Sequence, residues 1–375
     1  MKRLYLLPMI IGLLAGSACS QSKTDTQTDQ KVSLDVKIGQ MINIGFRGMS
    51  VDESTHIKRD IQEYHLGGVT LFDYDMPKDT AYRNIRSETQ LKALVQELQQ
   101  LSPTPLFIAI DQEGGKVARL KPKYGFPASV SAQYLGELNN LDSTRFYARQ
   151  TAQTLADLGI NVNLAPVVDL NINPENPVIG GIERSFSANP KTVIKQASTY
   201  IDVLHDYDIL TVLKHFPGHG SSEKDSHKGV VDVTHTWQQK ELKPYRALID
   251  SGKTDMIMTA HIFNARWDST WPATLSRAVI ADTLRHSLDF DGVVRSDDLM
   301  MGAIRREYNL RTVIEQAINA GVDLLCFSNN AIYDAEIVPK VHQIITELVT
   351  EGEISKDRID RSYQRITKLK KRIAK

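Results

Sequence analysis

Beyond residue 31, apolar and polar positions follow two alternating periods. Short continuous apolar runs fall at 41–46, 68–72, 106–110, 162–168, 209–214, 256–262, 292–296 and 322–327. Runs of this length, rich in β-branched residues, predict strands buried on both faces. Between them lie helical periods. Ser87 with Gln90 makes a capping box ahead of Leu91, Leu94, Val95, Leu98 and Leu101, and Pro190 opens a second helix with Val193, Ile194, Ala197, Tyr200, Ile201 and Leu204 on one face. Ser276 precedes a third helix, and 335–349 reads as the penultimate one. Strands alternating with helices predict a parallel sheet. Eight such units predict its closure into a single-domain (β/α)8 TIM-like barrel over residues 32–375, with an open doubly wound sheet as the alternative.

The first 31 residues belong to a different regime. Lys2-Arg3, an apolar run over 4–14 and the small residues Ala15, Gly16, Ser17 and Ala18 form the three parts of an export signal, and the run is too short to span a bilayer. Cleavage after residue 18 suits an ordinary signal peptidase, but Cys19 at the next position resembles a bacterial lipobox. The expectation is a signal peptide over 1–18, a lipidated Cys19, and a polar tether over 19–31. The product is then exported, either periplasmic or a membrane-anchored lipoprotein, touching the membrane through its lipid alone.

Composition narrows the partners. The 375 residues carry 45 basic and 45 acidic side chains, so nothing in the charge suggests nucleic acid. Cys326, the other of the two cysteines, lies in an apolar run and is expected to be a buried thiol, which leaves the mature chain no disulfide. The basic tail 368–375 is expected to be the solvated end of a last helix. Oligomeric state is not written in the sequence.

In a barrel, polar residues at the C-terminal strand ends converge on one mouth. Here those positions are Asp111 and Glu113, Asp169, Lys214 and His215, His261, Asp297 and Asp298, and Ser328. After Lys214-His215, the break Phe216-Pro217-Gly218 opens a polar loop carrying Asp225 and His227. Their spacing places both side chains on one side of an extended segment, where the carboxylate fixes the imidazole tautomer and raises its basicity. His215, His219, His227 and Asp225 have metal-ligand chemistry, but Pro217-Gly218 forbids the helix that would group the first two. Of Asp297 and Asp298, one faces the mouth. A carboxylate on a strand opposite a His on a loop suits a two-step displacement: the carboxylate attacks, and the His protonates the leaving group and then deprotonates water.

The motifs Ile110-Asp111-Gln112-Glu113-Gly114-Gly115-Lys116-Val117-Ala118-Arg119-Leu120, Glu183-Arg184-Ser185-Phe186, Lys214-His215-Phe216-Pro217-Gly218-His219-Gly220, Asp225-Ser226-His227 and Ser296-Asp297-Asp298-Leu299 resemble glycoside hydrolase family 3, in particular its bacterial β-N-acetylglucosaminidases. The resemblance implies retaining hydrolysis of terminal N-acetylglucosamine from peptidoglycan-derived or other amino-sugar glycans through a covalent glycosyl-enzyme. By the same resemblance Asp297 is the nucleophile, His227 the acid/base with Asp225 as partner, and Asp111, Arg119, Arg184, Lys214 and His215 the sugar-binding positions. No metal or organic cofactor is implied. A phosphorylase or a β-glucosidase is the alternative within the family, and a lipid-anchored sugar-binding protein is the alternative outside catalysis. After Phe72 the sequence Asp73-Tyr74-Asp75-Met76-Pro77 departs from the family pattern, and Arg295 has no evident place in an otherwise apolar strand.

Overall fold

The computed structural model describes residues 1, 2, 4, 32–54 and 56–374. The export segment, Cys19 and the tether lie almost wholly outside the described residues. Cα proximity separates Met1–Val32 from Ser33–Lys375, and the second unit is a closed barrel.

Its strands are β1 (Ile42–Gly45), β2 (Gly68–Leu71), β3 (Phe107–Ile110), β4 (Val162–Asn163), β5 (Leu210–Phe216), β6 (Met256–Thr259), β7 (Val293–Asp298) and β8 (Leu324–Phe327). Each pairs in parallel with its sequence neighbours, and β1 with β8 closes the ring. Every predicted strand is there, and the closed ring excludes the open doubly wound sheet. Helical starts follow the expected chemistry. Ser87 accepts from Gln90 N–H, although the Gln90 side chain returns to Arg86 N–H instead of closing the box on Ser87. Asn189 caps the helix Pro190–His205. The segment after Ser276 is helical over Ala278–Ser287 but wound as a π-helix.

Two departures come from the barrel's own geometry. The fourth run pairs as a strand over two residues only, since Pro166 has no N–H to give the ladder, and a single bridge from Val167 to Lys214 resumes the pairing. The basic tail is not fully solvated. Lys370 is buried, donates to Gln40 Oε1 at 2.6 Å and lies over the Phe107 ring, and burial pushes its ammonium down to about 7.

Two β-bulges fall where the chemistry sits. On β7, Arg295 pairs with Leu324 and Asp298 with Cys326, so three steps on β7 match two on β8. On β5, Leu213 and Phe216 face Ile257 and Thr259, which inserts an extra residue at Lys214-His215. A bulge re-aims side chains at a strand end. It is how neighbouring residues on these strands escape strict alternation.

Candidate active site

The β3, β4 and β5 ends build one charged cluster. Lys214 Nζ lies 2.8 Å from Asp111 Oδ1 and 2.6 Å from Glu113 Oε1. Arg119 Nη2 donates to Asp111 Oδ2 at 3.3 Å. Arg184 grips Glu113 with two parallel bonds of 2.7 Å and donates to the Val178 carbonyl. Burial pushes the Asp111 carboxyl up, but Lys214 and then Arg119 outweigh it and hold it well below the carboxylate range. Glu113 behaves likewise through Arg184 and Lys214. Asp111 is therefore an ionised acceptor, partly exposed at the barrel mouth.

His215 has a fixed tautomer. Its Nε2 lies 3.2 Å from Arg184 Nη2, which can only donate, so Nε2 accepts and Nδ1 carries the proton toward Asp169 Oδ2 at 2.7 Å. Asp169 also receives the backbone N–H groups of His215 and His219, tying the end of β4 to the turn after β5. His219 is enclosed by Ser222 and Ser226, and burial pushes it down to about 4.

Beneath that turn, Gly218 has φ +119, and a Cβ there would lie 2.7 Å from Glu241 Cβ. Only glycine fits both demands. The Glu241 carboxyl is buried, and burial pushes it from 4.5 up to about 7 against the opposing pull of the Gln238 N–H and Ser221. Its proton is thus held more tightly when folded, which supports stability fully below about pH 4.5 and is lost as pH rises through about 7. Glu241→Gln should gain stability over the parent between pH 5 and 8, by on the order of 2 kcal/mol in chemical denaturation. An unchanged difference between the two pH values would contradict this.

Asp225 and His227 do meet, though not in the predicted extended segment. They share a turn in which His227 N–H donates to Asp225 Oδ1 at 2.9 Å and Nδ1 lies 2.7 Å from the same oxygen. Asp225 is therefore the partner that holds Nδ1–H, leaving Nε2 open on a side chain that is 62% exposed. The turn is docked on the segment following β7: Ala303 N–H donates to Ser226 O at 3.2 Å, and Arg306 Nη1 to Lys228 O at 2.9 Å. A Cβ on Gly302 would stand 2.6 Å from His227 O, so the close approach needs glycine.

On β7 the two aspartates separate as the bulge requires. Asp298 turns its carboxylate onto Met300 N–H and Ser328 N–H, and burial pushes it up to about 6. Asp297 accepts Asp298 N–H. Burial pushes its carboxyl up too, but His261, His215 and His227 together hold it below the usual range. His261 is pinned between the Asp298 carbonyl and the Thr274 hydroxyl. Arg295 points into the barrel, donating to Thr70 Oγ1 at 3.0 Å beside Cys326. Cys326 is buried as expected, its thiol pushed up to about 11.

The barrel mouth thus brings Asp111, Arg119, Arg184, Lys214 and His215 into one network, with Asp297 under the influence of His215 and His227. Sequence reasoning underrated Glu113, the carboxylate that pairs with both Arg184 and Lys214. Its signal was the Asp111-x-Glu113 spacing, which turns both side chains the same way. Among the described residues no group of three or more His, Cys, Asp or Glu is arranged to hold a metal.

The chain matches the glycosyl hydrolase family 3 N-terminal domain over residues 33–369. It is 34% identical to β-hexosaminidase A of Pseudoalteromonas piscicida over 84% of this chain and 54% of that one. It is 30% identical to β-hexosaminidase LpqI of Mycobacterium tuberculosis, over 89% of this chain and 82% of that one. The family 3 β-N-acetylglucosaminidase structure from Paenibacillus sp. FPU-7 superposes with TM-score 0.83 at 35% identity, over 91% of this chain and 63% of that one. The chain therefore spans about half the length of the first of these relatives. A charged cluster at the mouth of a parallel barrel, a match running almost from end to end, and relatives of one kind agree: the chain belongs to glycoside hydrolase family 3.

Proposed function

We propose that the protein is a retaining exo-β-N-acetylglucosaminidase that removes terminal non-reducing N-acetylglucosamine from peptidoglycan-derived or other amino-sugar glycans. The observation that carries this reading is the Asp225-His227 pair with Nε2 open, docked beside the strand that presents a half-buried, ionised Asp297. The similarity to a β-N-acetylglucosaminidase and to β-hexosaminidases supports the substrate class.

In this mechanism Asp297 attacks the anomeric carbon while the His227 imidazolium gives its Nε2 proton to the departing glycosidic oxygen. A glycosyl ester on Asp297 results. Neutral His227 then takes a proton from water, the water oxygen attacks the anomeric carbon, and Asp297 leaves as carboxylate. Two inversions give retention. Asp225 stabilises the imidazolium formed in each cycle.

Asp111 is the acceptor for sugar hydroxyls, and Arg119, with one edge toward Asp111, a donor. Lys214 and Arg184 keep Asp111 and Glu113 ionised and in place, while His215 presents a ring fixed by Asp169. Outside the barrel, a lipid on Cys19 would hold the enzyme at a membrane with residues 19–31 as its tether. No helix among the described residues is long and apolar enough to cross a membrane.

The test is turnover of paired chromogenic N-acetyl-β-glucosaminide and β-glucoside by the chain from Ser20, with chelator and with added phosphate. Preference for the N-acetyl sugar, indifferent to both additions, is the expected result. Phosphate-dependent turnover, or preference for the glucoside, would overturn it.

A further inference from the structure

Glu241, 1% exposed, lies beneath the loop between β5 and His227 and has no part in the chemistry above. It sits on the short 3₁₀ helix Gln239–Leu242, where the Gln238 N–H donates to its Oε1 at 3.1 Å. Gly218 packs directly on its side chain, and Ser221 stands against the carboxyl. Neither carries a charge. The titratable groups that face it from neighbouring elements are Asp169 at the end of β4 and Tyr245 on the helix Lys243–Asp250. Burial pushes Asp169 up, but His215 and His219 outweigh it and keep it ionised. Tyr245 is a buried phenol, held by that burial well above its usual range. Among the described residues no Lys, Arg or His pairs with Glu241. A buried carboxyl with a like charge for a neighbour and no cation keeps its proton to neutral pH.

From this carboxyl a short run of contacts leads to the acid/base. Next to Ser221 is Ser222, whose hydroxyl lies 2.8 Å from His219 Nδ1. His219 N–H is anchored on Asp169 Oδ1 at 2.8 Å, and its Nε2 reaches Ser226 Oγ at 3.3 Å. Ser226 stands between Asp225 and His227. At the other end of the loop, Gly218 N–H is tied back to His215 O at 2.8 Å. Gly218 and Ser221 therefore rest on Glu241 as their floor. Ionising it sets a second carboxylate beside Asp169 under one loop, and a buried charge without a partner is relieved when water reaches it. Opening that path means lifting the loop.

We propose that Glu241 is a positioning residue: protonated, it is the floor that holds residues 218–228 in place, and its ionisation loosens them and withdraws His227 from the site. Catalysis then loses its acid/base through a group that never touches the sugar. This role rests on the hydrolase reading above and adds a pH gate to it.

The experiment compares parent and Glu241→Gln on chitobiose between pH 5.5 and 8.5. Ionisation of His227 itself is common to both and cancels in the ratio of their kcat/KM values. That ratio, variant over parent, should be near one at pH 5.5 and rise to at least about threefold by pH 8.5. A variant that only repacked the floor would shift the ratio equally at every pH. In the parent, amide exchange over residues 218–228, corrected for the chemical rate, should also lose at least about threefold in protection between the two pH values, and Glu241→Gln should not. A flat ratio, or parent protection that ignores pH, overturns the gate while leaving the hydrolase intact. Failure of the parent to cleave chitobiose at any pH refutes the hydrolase reading and the gate with it.

Discussion

Asp297→Asn should lower kcat/KM for N-acetyl-β-glucosaminides by at least about 10⁴-fold, the scale seen when a covalent nucleophile is lost. The amide preserves the size of the side chain and, through its oxygen, the bond from Asp298 N–H. What it removes is the negative charge that His261, His215 and His227 stabilise against burial. The fold has little stake in that charge, so the thermal midpoint should stay close to the parent's. A direct check on the role is Asp297→Ala with added azide, where attack by azide from the vacated side gives the glycosyl azide of inverted configuration. Full activity in either variant would sink the assignment.

His227→Ala should act differently. General acid–base assistance is worth about 10² to 10⁴-fold, and it matters most where the leaving group departs poorly. For chitobiose, whose departing hydroxyl needs a proton, the loss should fall in that range. For a nitrophenyl glycoside, whose phenolate leaves unaided, bond cleavage should suffer much less, and the slow step should become hydrolysis of the intermediate. A pre-steady-state burst of nitrophenol in the variant is the diagnostic reading. Equal losses on both substrates would instead point to a purely structural role for a ring that is 62% exposed.

The barrel was legible because its strands are buried on both faces and therefore print as unbroken apolar runs. The helices were legible from start signals such as Ser87 and Pro190. Less legible was how strand ends bend. The bulges at Lys214-His215 and ahead of Asp298 depend on pairing with the neighbouring strand, and alternation within one strand says only that two adjacent residues diverge. Glu113 shows the same limit. Its partners, Arg184 and Lys214, are distant in sequence, and charge complementarity at that separation leaves no local pattern. Asp225 and His227 were paired for the wrong geometric reason, since a turn brings them together. Arg295 is understandable only inside the ring, where Thr70 from β2 receives it.

The docking of the His227 turn on the residues after β7 has a thermodynamic consequence. The main-chain bond from Ala303 to Ser226 and the Arg306 clamp on Lys228 hold the turn through protein contacts alone. The loss of chain entropy that accompanies ordering such a loop is thereby charged to folding, and an arriving sugar can spend its binding energy elsewhere.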